Sequence, residues 1–317
     1  MNAPTKTSWT TRELLKWMAD AFESRGLESP RVLAELLMGH VLGCERIRLY
    51  MEADRPASSA ERETLRGLVG RALKHEPVQY LVGEAVFFTH TFTVDPRVLV
   101  PRPSSAVLVE TVIEHAKSTG RHAVNPYDDE AGEAPGEDDD ARAAHVAAPM
   151  TIADVCTGSG ALAIALARAI PSSTVVATDV SADALDVARA NAERLGVSDR
   201  VAFEEGDLLV PLAGRRFDAV VANPPYIPDD EWGAVEANVK EHEPTLALRS
   251  SPDGLRHAEP ILRGVGSVLA EGGVFAVEVA TSKAHAALGI ARDAGYADAH
   301  IVRDFEGLDR AIVGGNR

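Results

Sequence analysis

The spacing of apolar positions changes character along the chain. Over residues 1 to about 75 it repeats every three to four positions, the period of a helix with one buried face. Thr10 with Glu13 makes a capping-box pair ahead of Leu14, Met18 and Phe22, which share one face at spacing four. Ser29 and Pro30 supply an N-cap and a first-turn proline ahead of Leu33, Leu36, Leu37 and Val41. Ser58 with Glu61 opens a third helix whose Leu65, Leu68, Ala72 and Leu73 face inward. This pattern predicts a small helical domain.

Residues 86–94, VFFTHTFTV, are rich in β-branched and aromatic side chains with a polar break at Thr89-His90, which predicts a hairpin. In VLVPRPSS two prolines hold an extended segment before a helix ending near Lys117. Residues 118–149 carry no periodicity and read as an inserted loop. Beyond Met150 strands and helices alternate. Strands are predicted at 151–155, 174–178, 201–205, 217–222 and 274–280, and helices at 161–170, 181–196, 254–270 and 283–294. Such alternation gives an α/β fold with a mostly parallel sheet, helices on both faces and ligands at the C-terminal strand ends.

Composition narrows the function classes. With 317 residues, 45% of them hydrophobic, the chain is expected to form two globular domains. Its best apolar run, 161–170, is too short to span a bilayer and contains Arg168, and the N-terminus lacks a secretory pattern. A cytoplasmic protein with no membrane partner is expected. Half of the net charge of −16 lies in residues 128–140, which hold eight acidic residues and no basic one. That stretch reads as a solvated, disordered insertion. So acidic a chain repels a phosphate backbone, and no direct binding of nucleic acid is expected. Cys44, Cys156 and the ten histidines form no metal-ligand or disulfide spacing, so no metal is expected.

The candidate chemistry sits at strand ends. DVCTGSGALA, residues 154–163, brings Gly158 and Gly160 to a helix N-terminus, where backbone N–H groups can approach a ligand. Asp179 ends the next strand as a carboxylate able to accept from two ribose hydroxyls, and Gly206-Asp207 follows the third. Together they outline a nucleoside pocket. Gly158-x-Gly160-x-x-Ala163 with an acid further on also satisfies the dinucleotide fingerprint, so an NAD-dependent oxidoreductase stays open. The fourth strand runs into Asn223, Pro224, Pro225 and Tyr226. The Asn223 side-chain oxygen and the Pro224 carbonyl can each accept one N–H of an –NH₂ group, holding a poorly nucleophilic nitrogen with its lone pair exposed to an activated methyl. Two prolines stiffen the acceptors, and Tyr226 offers a flat surface.

These motifs resemble the S-adenosylmethionine-dependent methyltransferases of the HemK/PrmC family, which methylate the glutamine of the GGQ motif in peptide chain release factors. EPVQYLVG, VLVPRP, DVCTGSGALA, NPPYIP, EHEPTLAL, DGL and RDFEGLDR carry the likeness over nearly the whole chain. The resemblance implies a seven-stranded Rossmann-like class I methyltransferase domain at 103–317, preceded by a helical substrate-recognition domain at 1–80 and a β-hairpin connector at 81–102. It implies S-adenosylmethionine held by Cys156, Thr157, Gly158, Ser159, Gly160, Asp179, Asp207 and Leu208. Asn223, Pro224, Pro225 and Tyr226 would grip the substrate glutamine, with the helical domain docking the release factor and the enzyme a monomer. The family usually has Gly where Cys156 stands, an acid, Thr and Glu where Ser104, Ser105 and Ala106 stand, and Glu-x-Gly with a following Gln where EVATSK stands. NPPY is shared with adenine and cytosine amino-methyltransferases, which keeps nucleic-acid methylation open. The departures at Ser104 to Ala106 keep a non-catalytic binding module open.

Overall fold

The computed structural model describes residues 8–121 and 149–316. The acidic stretch 128–140 lies outside them. The chain divides into two compact units, one of Met1–Glu84 with Val94–Pro96 and Val235–Glu243, the other of Ala85–Thr93 with Arg97–Ala234 and Pro244–Arg317.

In the first unit five helices precede the hairpin: α1 (Thr11–Glu23), α2 (Pro30–Leu42), α3 (Arg46–Met51), α4 (Ser59–Ala72) and α5 (Val78–Val82). Both expected capping boxes form, Thr10 with Glu13 and Ser58 with Glu61, so two orphan N–H groups at each helix start are satisfied reciprocally. Ser29 departs from expectation. Its backbone is left-handed and its side chain makes no cap bond. The buried stripe of α2 is also rotated, with Ala34, Leu37 and Met38 inside and Leu33, Leu36 and Val41 only partly covered. The rotation takes Glu35 inside, fully buried. Its carboxylate accepts from Arg31 Nε at 2.7 Å, from Arg46 and from the Tyr50 hydroxyl. Burial alone would push this carboxyl up, but those donors hold it below the ordinary glutamate value.

The second unit begins with the hairpin β1 (Glu84–Phe87) and β2 (His90–Thr93), then α6 (Ala106–Ser118). After the undescribed residues come β3 (Met150–Val155), α7 (Ala161–Ala169), β4 (Ser173–Asp179), α8 (Ala182–Arg194), β5 (Val201–Glu205) and β6 (Phe217–Ala222). Short helices α9 (Ala237–His242), α10 (Thr245–Leu248) and α11 (Ala258–Gly264) lead to β7 (Leu269–Glu278), α12 (Ala284–Asp293), β8 (His300–Arg303) and β9 (Asp309–Gly315). Among the described residues one seven-stranded sheet forms in the order β5-β4-β3-β6-β7-β9-β8. The first five strands are parallel, and β9 pairs antiparallel with both β7 and β8. This is the class I methyltransferase fold that the resemblance implies. Near-continuous apolar runs such as Val220-Val221-Ala222, all fully buried, are what strands covered on both faces require. Helices α6, α7 and α8 pack side by side, and α11 with α12 form a second group against β7, β8 and β9.

The helix expected over 254–270 is a correction. Only Ala258–Gly264 is α-helical, and Leu269 already opens β7. Glycines at 264 and 266 weaken the helix, and at Gly266 a Cβ would stand 2.6 Å from the Tyr296 hydroxyl, so the chain must turn there without a side chain. Strands β8 and β9, absent from the periodicity reading, close the sheet.

Replacing Glu35 by Gln is expected to lower stability by about 1.5–3 kcal/mol at neutral pH, the worth of bonds to a charged buried group. Because the folded carboxyl titrates below its unfolded value, the stabilisation is complete above about pH 5 and is lost as pH falls through the lower, folded value. Urea denaturation of wild type and variant across this range checks both statements.

Candidate active site

Strand register assembles the site. Val155 of β3 pairs with Thr178 of β4 on one side and with Ala222 of β6 on the other, and Ala222 pairs with Val277 of β7. The next residue on each strand is therefore Asp179, Cys156, Asn223 or Glu278, side by side at the C-terminal edge. The strand order reverses direction at β3 and β6, the place where an open α/β sheet leaves a crevice. A cavity of about 360 Å³ lies there.

The turn after β3 is unusually tight. Cys156 sits at φ 61°, Gly158 at 54° and Gly160 at 81°. A Cβ on Gly160 would stand 3.1 Å from that of Ala188, so glycine is needed for conformation and for room. Beneath the turn, Asp154 is fully buried. Its Oδ2 accepts from the Thr157 hydroxyl at 2.6 Å and from the Ala163 N–H at 3.1 Å, which braces the loop, while Oδ1 has no partner among the described residues. Desolvation pushes this carboxyl up to about 7. Asp179 accepts from the N–H groups of Gly158 and Ser181, each at 2.9 Å. Burial raises its carboxyl too, against those bonds. Burial and the carboxylates of Asp179, Asp154 and Asp207 together push the Cys156 thiol far up, so it stays protonated.

Another support comes from Asn191 on α8, which is fully buried. Its Oδ1 accepts from Thr93 N–H at 2.8 Å, and its Nδ2 donates to the Thr93 and Ser159 carbonyls at 3.0 Å. One amide thus ties hairpin strand β2 to the glycine turn, and Phe87 of the same hairpin joins the cavity wall.

At the β6 tip, Asn223 Nδ2 donates to the Ser105 hydroxyl at 3.1 Å. Tyr226 donates its hydroxyl to Glu278 Oε1 at 3.2 Å. Burial and the nearby Glu278 charge push the Tyr226 phenol up. The Pro225 carbonyl lies 3.2 Å from His257 Nδ1, where a protonated Nδ1 donates to it.

Of the residues singled out from sequence, Cys156, Thr157, Gly158, Ser159, Asp179, Asp207, Leu208, Asn223 and Pro225 line the one cavity. Gly160 lies behind it as the N-cap of α7. Pro224 is buried and is not among the cavity-lining residues, and Tyr226 turns its hydroxyl to Glu278. Sequence reasoning missed Glu278, Asn191 and the cavity residues Arg97, Arg102 and His257. It noted Ser105 only as a departure. The readable signal for Glu278 was its place as the last residue of the apolar run FAVE. Among the described residues no histidine, cysteine or carboxylate cluster could hold a metal, and no helix is long and apolar enough to cross a membrane.

Residues 13–83 match the family model of the PrmC N-terminal domain, and residues 143–243 match the methyltransferase small domain. A release factor glutamine methyltransferase of Chlorobaculum tepidum is 37% identical over 98% of each chain. Its counterparts in Rhodopirellula baltica and Geobacter sulfurreducens are each 36% identical, covering 96% and 97% of this chain and 96% of theirs.

The folded protein holds the Asp154 proton more tightly than the unfolded chain, so this group's contribution is full below about pH 4 and is lost as pH rises through about 7. Melting temperatures of the ligand-free protein should fall over that window relative to Asp154→Asn, which removes the titration. Cys156→Gly relieves a left-handed L-residue, worth about 1–2 kcal/mol, against about 0.5–1 kcal/mol of glycine entropy. The net change in urea denaturation should be a gain of up to about 1.5 kcal/mol, and Cys156→Val should lose stability instead.

Proposed function

The chain belongs to the release factor glutamine methyltransferase family, and from that membership we propose that it transfers a methyl group from S-adenosylmethionine to the side-chain amide nitrogen of the glutamine in the GGQ motif of peptide chain release factors. The observation that carries this reading is a single cavity in which the glycine turn and Asp179 meet Asn223 and Pro225 across adjacent strand tips.

The residues present fit the cofactor. Asp179 would hold the ribose hydroxyls, Asp207 and Leu208 the adenine, and the turn from Cys156 to Gly160 the methionine end. Asp179 and Asp207 put two carboxyl groups on the cavity wall, suited to accept from hydroxyl and amino donors, and membership of a methyltransferase family weighs against the NAD reading. When bound, the cofactor supplies a methyl group on positively charged sulfur.

The chain's own residues then act by placement. An amide nitrogen is a weak nucleophile because its lone pair is delocalised. Asn223 Oδ1 and the Pro224 carbonyl accept its two N–H groups, fixing the amide plane so that the lone pair faces the methyl. The stiff Asn-Pro-Pro run sets those acceptors before substrate arrives, so little reorganisation is left for the reacting complex. Tyr226, anchored through Glu278, forms a rigid flank to the motif. We assign docking of the release factor to the helical unit, whose residues 13–83 match the PrmC N-terminal domain. A release-factor substrate carries with it a cytoplasmic setting. Nucleic-acid amino-methylation rests on NPPY alone and has the chain's net charge of −16 against it.

Intact-mass analysis after incubation with S-adenosylmethionine should find one added methyl on a release factor, on the glutamine of its GGQ motif, and none on DNA or RNA. No added methyl from the wild-type enzyme would remove the proposal. Asn223→Ala should lower kcat by about 10²-fold or more while calorimetry finds cofactor affinity unchanged.

A further inference from the structure

Strand β6 ends at Ala222, so Asn223, Pro224 and Pro225 stand beyond the ladder that positions the rest of the strand. Neither proline has an N–H to give. Their rings fix φ and restrict the residue before each, which leaves the run few free torsions but also few bonds of its own. Its upstream end is held where Ala222 pairs with Val155 and Val277. Its downstream end needs a second anchor.

We infer that His257 is that anchor, a positioning residue whose Nδ1–H holds the Pro225 carbonyl and so keeps the Asn223 and Pro224 acceptors in place for the substrate amide; the inference rests on the methyl-transfer reading above. The Pro225 oxygen lies 3.2 Å from His257 Nδ1, and both residues line the cavity. A carbonyl cannot donate, so the proton of this contact belongs to Nδ1, and the tautomer of the neutral ring is settled with it. The Ser250 hydroxyl stands 3.4 Å from the same nitrogen. Ser250 also gives its backbone N–H to the Ile227 carbonyl at 2.9 Å. Residues 250–257 therefore hold the chain on both sides of Tyr226, at Pro225 and at Ile227.

The turn before α11 is shaped to bring the ring there. Gly254 sits at φ 72°, and a Cβ on it would stand 2.8 Å from the Tyr226 carbonyl oxygen and 3.0 Å from Pro228 Cγ. Glycine is what lets the two segments close on each other. Asp253 Oδ1 accepts from the Ser251 hydroxyl and, at 3.1 Å, from the Leu255 N–H, which fixes the turn. His257 follows at the N-cap of α11, whose Ala258, Ile261 and Leu262 are fully buried, so the ring has a rigid mount. The helix makes no use of that ring, since the His257 side chain forms no cap bond. Its hydrogen bond goes to the Asn-Pro-Pro run instead. Where reacting atoms are aligned by placement alone, a shift of about 1 Å costs about 10²-fold in rate, so loss of one of two anchors should show in turnover.

The test is steady-state methyl transfer to purified release factor by the full-length enzyme, with cofactor affinity by calorimetry and melting temperatures alongside. His257→Phe keeps a flat ring without a donor and should lower kcat by about 10-fold. Its KM for the release factor and its affinity for S-adenosylmethionine should stay within about twofold of wild type. His257→Asn sets an amide N–H near the place of Nδ1 and should restore kcat to within about threefold. A wild-type kcat in His257→Phe, or a His257→Asn variant as slow as the phenylalanine one, overturns the inference while leaving the methyl-transfer reading intact. Should His257→Phe not fold, His257→Leu takes its place in the comparison. If the wild-type enzyme transfers no methyl, that reading falls and the anchor is judged by NMR. Long-range proton–nitrogen correlation spectra that place the proton of the neutral His257 ring on Nδ1 uphold the anchor, and a proton on Nε2 refutes it.

Discussion

Parallel pairing of β3 with β6 in the register Val155 to Ala222 is the constraint on which the site depends. Side chains alternate faces along a strand, so a slip of one residue would turn Asn223 away from the crevice. Both faces of both strands are packed, with Ile152, Ala153, Val155, Val220, Val221 and Ala222 all fully buried, so a slipped strand would set side chains of the wrong volume against each covering layer. The placement of Asn223 beside the glycine turn thus follows from core packing, before any interaction with a ligand.

Several ionisable groups at this edge are taken out of water, and each is compensated in its own way. Asp179 has two backbone N–H donors, Asp154 braces the turn with one oxygen, and Glu278 accepts from Tyr226 with Oε1, while Asp154 Oδ1 and Glu278 Oε2 have no partner among the described residues. Carboxyls left short of donors cost stability in the empty protein. Two of the five left-handed non-glycine residues among the described ones, Cys156 and Leu208, line the cavity. Cys156 therefore holds a backbone shape that L-residues resist.

Much of this was legible in the chain. The capping boxes at Thr10 and Ser58, the parallel strands and the two strand-end motifs are local, and local rules read them: period, propensity and cap chemistry each act within a few residues. Where longer-range terms competed, the local reading failed. Glu35 is polar, yet α2 turns it inward because Arg31, Arg46 and Tyr50 converge on it from other turns of the fold. The helix expected through Ala270 stops at Gly264, since Gly264 and Gly266 weaken it and Leu269 is drawn into β7 by pairing with Phe217 of β6.

By itself, then, the sequence determined which residue types stand at the strand tips, a glycine turn, a ribose-type acid and an Asn-Pro-Pro-Tyr run, together with an α/β order that sends all of them to one edge. Only the tertiary structure decided which tips are neighbours, and that Ser105 before α6, Asn191 on α8 and Glu278 on β7 are the supports behind them. The reason is physical. Strand order and register are settled by burial summed over whole sheets, and a hydrogen bond such as Asn223 to Ser105, 118 residues apart in the chain, leaves no trace in the spacing of either segment.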